Sequence, residues 1–133
     1  MERNKDVYMN FVCPFCWNTL DNCTCKLYPS YYLILIDKNI QKHIRILNEK
    51  GYRTTACCEG HKDICLNTYI AFTTDYFKDM ELPNGFKYNK KRRVVEYIYP
   101  RKLTESEMES IKKEKLEVLL KWCENLPNRS MEN

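Results

Sequence analysis

Four cysteines near the start of the chain, in Cys13-Pro14-Phe15-Cys16 and Cys23-Thr24-Cys25, form two tight pairs with six residues between them. A C-P-x-C turn aims two thiolates at one point, and a second pair completes the tetrahedral four-sulfur shell that suits zinc. Four protein ligands leave no coordination position for water, so the expected zinc knuckle is structural and not hydrolytic. Two disulfides are the alternative, and a reducing compartment disfavours them.

A second constellation is Cys57-Cys58-Glu59-Gly60-His61, with Cys65 four residues further on. Three readings compete. One of the adjacent cysteines, His61 and Cys65 have a spacing that permits a second metal site, although no fourth ligand is evident in the sequence. Alternatively, Gly60 opens a tight backbone turn whose N–H groups face an anion, with His61 and Lys62 as further donors to a phosphate or carboxylate. The third reading is a structural turn in which the cysteines pack as small hydrophobes. A thiolate at Cys58 activated by His61, with Glu59 orienting the imidazole, is also conceivable. Against it, Glu59 is only two residues from His61, and no Asp or Asn partner stands out.

The third cluster is basic: Lys87, Lys90, Lys91, Arg92 and Arg93 fall within seven residues, with Tyr88 among them. It reads either as a patch for phosphate or nucleic acid or as the solvated tip of a hairpin. Cys123, in an apolar helical stripe beside Trp122, reads as a buried inert thiol, and His43 as a packing residue without chemistry.

These clusters need elements to hold them. The apolar run at residues 31–36 is a strand or a buried lead-in. Asp37 reads as the N-cap of a helix over 38–50, in which Ile40, Ile44 and Leu47 recur at helical spacing and Gly51 ends the pattern. Residues 52–57 and 67–74 are rich in β-branched and aromatic types and read as strands around the Cys58–Lys62 loop. A short helix or turn follows at 75–80, and strands at 86–89 and 94–99 flank the basic turn. The last helix is marked by the capping box Thr104-Glu105-Ser106-Glu107 and stopped by Pro127. Its expected apolar face carries Met108, Ile111, Lys115, Leu119, Trp122 and Leu126, broadened by Leu116, Leu120 and Cys123.

The chain has 133 residues, eight cysteines and a formal charge of +4, which four zinc-bound thiolates would lower by two. Charge therefore says little about partners. Residues 1–10 lack an apolar export segment, and the longest apolar run, six residues, is far short of the roughly twenty needed to span a bilayer. A cytoplasmic protein with free or metal-bound thiols and no membrane partner is expected.

The segment Ile46-Leu47-Asn48-Glu49-Lys50-Gly51-Tyr52-Arg53-Thr54, followed by Cys57-Cys58-Glu59-Gly60-His61 and Tyr69-Ile70-Ala71-Phe72, resembles small zinc-knuckle proteins of low-GC Gram-positive bacteria and their phages. The N-terminal C-P-x-C pair is similar to theirs too. The resemblance spans about Cys13 to Tyr99 and implies no particular reaction; it implies that a phage origin, and action against a host defence signal, would be natural. A weaker similarity is to the wybutosine-synthesising tRNA methyltransferase family, whose Ser-Ser-Cys-Ser-Gly-Arg segment falls on residues 56–61. Only Cys58 and Gly60 match, which implies a strand-loop-strand carrying a ligand loop and not methyl transfer.

The expected fold is α+β: a zinc knuckle over residues 1–30, then a domain over 31–127 with an antiparallel sheet of about four strands packed by two helices, and a frayed tail over 128–133. The expected function is a non-enzymatic binding protein. Cys58, Gly60, His61 and Lys62 would hold a phosphate-bearing ligand, nucleotide or nucleic acid, together with Arg92, Arg93 and a stacking Tyr88. The alternatives are a module that docks on a bacterial protein through Tyr28, Tyr31 and Tyr32, and a small enzyme using Cys58 and His61.

Overall fold

The computed structural model describes residues 9–19, 22–25, 34–62, 65–77 and 79–129. It is a mixed α/β structure with antiparallel sheets and two helices. The first strand, β1 (Met9–Val12), pairs antiparallel with β2 (Ile34–Asp37), running from Met9 opposite Asp37 to Val12 opposite Ile34. A 3₁₀ turn at Lys38–Ile40 leads into α1 (Gln41–Glu49). Then come β3 (Thr54–Cys58), β4 (Asn67–Phe72), β5 (Lys87–Asn89), β6 (Val94–Ile98) and α2 (Glu105–Asn125). The larger sheet has the order β3-β4-β6-β5, all antiparallel. Residues 26–33, including Tyr28, Tyr31 and Tyr32, lie outside the described residues.

Strand alternation sets which side chains reach the core. In β4, Thr68, Ile70 and Phe72 are buried while Asn67, Tyr69 and Ala71 occupy the other face. The buried set joins Ile40, Ile44 and Leu47 of the first helical segment and Leu116, Leu119 and Cys123 of α2 in one core. Phe77 is the hub of its aromatic part, with ring centroids 4.7 Å from Phe72, 5.4 Å from Tyr52 and 5.0 Å from Trp122. Cys123 is fully buried, and that burial pushes its thiol up to about 12, as expected of an inert packing residue.

Two expectations are corrected here. Asp37 does not cap a helix: α1 begins at Gln41, and the Asp37 carboxylate makes no cap bond in the intervening 3₁₀ turn. The buried stripe of α2 is Met108, Lys112, Leu116, Leu119 and Cys123, so Lys112 faces inward while Lys115 lies over the Tyr97 ring at 4.8 Å. Of the two readings of residues 75–80, short helix or turn, the described residues form turns. The α2 start is as its capping box requires: Thr104 Oγ1 accepts from Glu107 N at 3.1 Å, and Glu107 Oε1 accepts from Thr104 N at 2.8 Å.

At its other end, α2 is held by Lys50, the C-cap of α1. The Lys50 ammonium donates to the carbonyls of Cys123, Glu124 and Leu126 at 3.0, 2.6 and 2.8 Å. His43, almost fully buried on α1, places Nε2 2.7 Å from the Leu116 carbonyl; desolvation lowers its pKa and keeps it neutral. No helix among the described residues is long and apolar enough to cross a membrane.

Candidate metal centre and ligand loop

β1 delivers Val12 into the core and Cys13 directly after it. Cys13 N donates to Asn18 O at 3.0 Å, Trp17 N to Cys13 O at 2.9 Å, and Val12 makes a single bridge to Thr19, closing a compact reversal. Trp17 adopts φ 59°, the left-handed conformation that turns the chain back. Gln41 of α1 donates to the Trp17 carbonyl at 2.8 Å, docking the reversal on the helix. The sulfurs of Cys13, Cys16, Cys23 and Cys25 lie within 4.8 Å of one another, close enough to hold a metal ion. A tetrahedral shell with metal–sulfur bonds of about 2.3 Å has sulfurs about 3.8 Å apart. Hydrogen bonding to Cys16, then desolvation and bonding to Cys13 and Cys23, pushes the Cys25 thiol up to about 12.

The loop after β3 is built around Asp37. Its Oδ2 accepts from Glu59 N at 2.9 Å and sits 3.0 Å from His61 Nε2. Cys57 and Cys58 point to opposite faces of β3. Cys57 packs against the core, where desolvation pushes its thiol up to about 12, and Cys58 joins Asp37 and His61. The ligand atoms of Asp37, Cys58 and His61 all lie within 4.8 Å of one another. Interaction between the neighbouring Cys58 and Cys65 thiols raises the Cys58 pKa and lowers that of Cys65 to about 6.

The backbone of this loop does not form the anion nest expected at Gly60. Three successive N–H groups are committed within the chain: Glu59 N to Asp37, Gly60 N to Cys58 Sγ at 3.4 Å, and His61 N to Cys65 O at 2.8 Å. Gly60 serves packing instead. At φ +102°, a Cβ there would meet Tyr99 Cε2 at 2.9 Å and Thr68 Oγ1 at 3.2 Å. Gly60→Ala should therefore cost about 2–4 kcal/mol, read as a lower urea midpoint at unchanged slope; an unchanged midpoint would show that the turn relaxes freely.

Glu59 does not orient His61 either. Its buried carboxylate accepts from Asn39 N at 3.0 Å, Asn39 Nδ2 at 2.9 Å and Lys112 Nζ at 2.9 Å. Burial alone would raise its pKa, but the Asn39 and Lys112 hydrogen bonds together outweigh that and hold it below the usual carboxylate value. The carboxylate on the imidazole is Asp37. An aspartate directly ahead of a helical pattern is normally an N-cap, so no local signal distinguishes it.

Compared with protein-family models, curated proteins and solved structures, the chain has no match. Its function is therefore read from its own chemistry.

The basic turn is divided. The Tyr88 ring packs against the core and its hydroxyl donates to Asp75, so Tyr88 is not an exposed stacking platform. Arg93, at φ 57°, donates from Nη1 to the Thr73 carbonyl at 2.9 Å. Arg92 lines a cavity of about 390 Å³ with Asn67, Tyr69, Val94 and Glu96. Lys62 lies elsewhere, in a cavity of about 520 Å³ that also includes Arg101, Lys102 and Thr104. The seven residues expected to share one ligand are thus distributed over the Asp37 cluster, the core edge and two cavities. Sequence reasoning misses Arg101, Lys102 and Tyr69, because only spatial proximity makes them neighbours of Lys62 and Arg92.

Proposed function

We propose that this chain is a zinc-stabilised, non-enzymatic binding protein that holds a single nucleic-acid strand across the outer face of its larger sheet. The observation that carries this reading is the position of the cations. Lys62, Arg101 and Lys102 share a cavity beyond the C-terminal end of β6, while Arg92, just ahead of its N-terminal end and beside exposed Lys90 and Lys91, lines a second cavity that runs along the strand face to Glu96 and Asn67. Five residues of strand separate the two ends by about 16 Å, enough for a few nucleotides with a phosphate anchored at each end. Between them the face offers Tyr69 for stacking and Ile98, which is 61 % exposed. Zinc fits the four-cysteine cluster because an all-thiolate tetrahedral set favours it over harder ions.

Fluorescence anisotropy with a labelled ten-nucleotide single strand tests the reading. Arg92→Glu and Arg101→Glu should each weaken binding about tenfold or more and flatten the dependence of log affinity on log salt by about 0.7 for each phosphate no longer neutralised. Lys121→Glu, on exposed α2 surface beside Glu117, should change neither. Equal affinity in all three variants would remove the proposal.

A further inference from the structure

We propose that Asp37, Cys58, His61 and Cys65 form a second metal site, a two-thiolate, imidazole and carboxylate set for a divalent ion of the zinc class, independent of the nucleic-acid reading. Three of the four ligand atoms, from Asp37, Cys58 and His61, already lie within 4.8 Å of one another, with Asp37 and Cys58 buried. The 3.0 Å between Asp37 Oδ2 and His61 Nε2 is close to the roughly 3.3 Å edge expected between nitrogen and oxygen ligands of a tetrahedral ion with bonds of about 2.0 Å.

Cys65 supplies the fourth ligand. His61 and Cys65 exchange both backbone hydrogen bonds, each at 2.8 Å, forming an antiparallel bridge. Directly opposed residues of such a pair project their side chains to the same side, so the Cys65 thiol shares the side of the His61 ring. The Cys65 sulfur lies outside the 4.8 Å group of the other three and donates to Asn67 Oδ1 at 2.9 Å and Asn67 O at 3.3 Å, contacts that it would exchange for the ion.

The surrounding groups support such a site. Glu59 N holds the Asp37 carboxylate, and Gly60 N lies against the Cys58 sulfur, an N–H that stabilises a thiolate. Asn39, two residues after Asp37, is tied to Glu59 by two hydrogen bonds, which fixes the turn after β2 against the loop after β3. Two thiolates and an imidazole select zinc over magnesium or calcium. With four protein ligands the ion crosslinks the two sheets and does not activate water. The site is separate from the knuckle: the cysteine cluster follows Val12 at one end of the β1–β2 ribbon and Asp37 stands at the other, about 10 Å along the strand.

The test is metal content per chain on full-length protein purified without a histidine tag or added zinc. Wild type should carry two ions, His61→Ala one, Cys16→Ser one, and His61→Cys, which restores a fourth ligand, two. X-ray absorption on the wild-type zinc protein needs no variant and should give on average about three sulfurs and one nitrogen or oxygen per ion; a knuckle alone gives four sulfurs. A wild type with a single ion that Cys16→Ser loses, or a His61→Ala protein with undiminished metal, overturns the proposal. Either result would leave Cys58 as a buried thiol beside an Asp37–His61 ion pair.

Discussion

Cys16→Ser should lower the thermal midpoint by more than about 10 °C. Binding of a structural four-ligand zinc is worth on the order of 10 kcal/mol in small domains, and each kcal/mol corresponds to roughly 3–5 °C at this chain length. The described residues between Cys13 and Cys25 are also held by one bridge between Val12 and Thr19, turn hydrogen bonds, the Gln41–Trp17 contact and the packing of Trp17 against the core. Val12 is completely buried, so releasing this segment opens the core beneath it. A chelator added to wild type should lower the midpoint at least as far. Differential scanning calorimetry on both preparations decides the matter; a Cys16→Ser protein melting with wild type would mean the four sulfurs crowd together without holding a metal.

Lys112→Met should cost about 3–5 kcal/mol near neutral pH, because it strands the Glu59 carboxylate in the core. Glu59 is 1 % exposed and Lys112 6 %, and the Lys112 ammonium also donates to the Gly60 carbonyl at 3.2 Å. The pH dependence has a definite sign. In wild type Glu59 titrates below 4.5, so its contribution is present above that value and fades as pH falls through the folded-state pKa. Lys112 is raised above 10.5, by the Glu59 hydrogen bond and charge acting against burial, and its contribution is lost only as pH rises beyond that. Without Lys112, only the two Asn39 hydrogen bonds oppose the burial of Glu59, so its ionisation costs more than in wild type. The penalty of Lys112→Met should therefore shrink between pH 7 and pH 4. Glu59→Gln in the same background should recover much of the loss by removing the charge: its Oε1 still accepts from Asn39 N, and its Nε2 donates to Asn39 Oδ1 once the Asn39 amide flips. Urea denaturation of the two single variants and the double at both pH values measures this; a penalty independent of pH would show that Lys112 acts through its hydrocarbon stem.

What is legible in the sequence follows the range of the interactions. The α2 capping box, the strands around the Cys58–Lys62 loop and the paired cysteines all lie within a few residues of their own partners, and local chemistry marks them. Asp37 reads as a cap because its local context is that of a cap, while its partner His61 is 24 residues away. Lys112 escapes notice because the expected stripe carries Lys115 and not Lys112, and what lies under Lys112 is Glu59, 53 residues earlier. Tyr88 reads as an exposed aromatic among cations, whereas pairing with buried Val95 turns its ring inward. The cavities with Arg92 and with Lys62 are products of the β3-β4-β6-β5 order, which no local signal encodes.

The Lys50 contacts have an electrical meaning. Both helices end at this residue: α1 finishes at Glu49, and the last carbonyls of α2 converge on the Lys50 amine. A helix C-terminus carries partial negative charge, and the half-buried Lys50 ammonium is the counter-ion of the α2 terminus. The position thus depends on a charge and on a point-like donor able to reach three carbonyls at once. Acetylation there would leave the negative pole of α2 without its counter-charge, whereas the planar fork of arginine would keep the charge and lose the convergence.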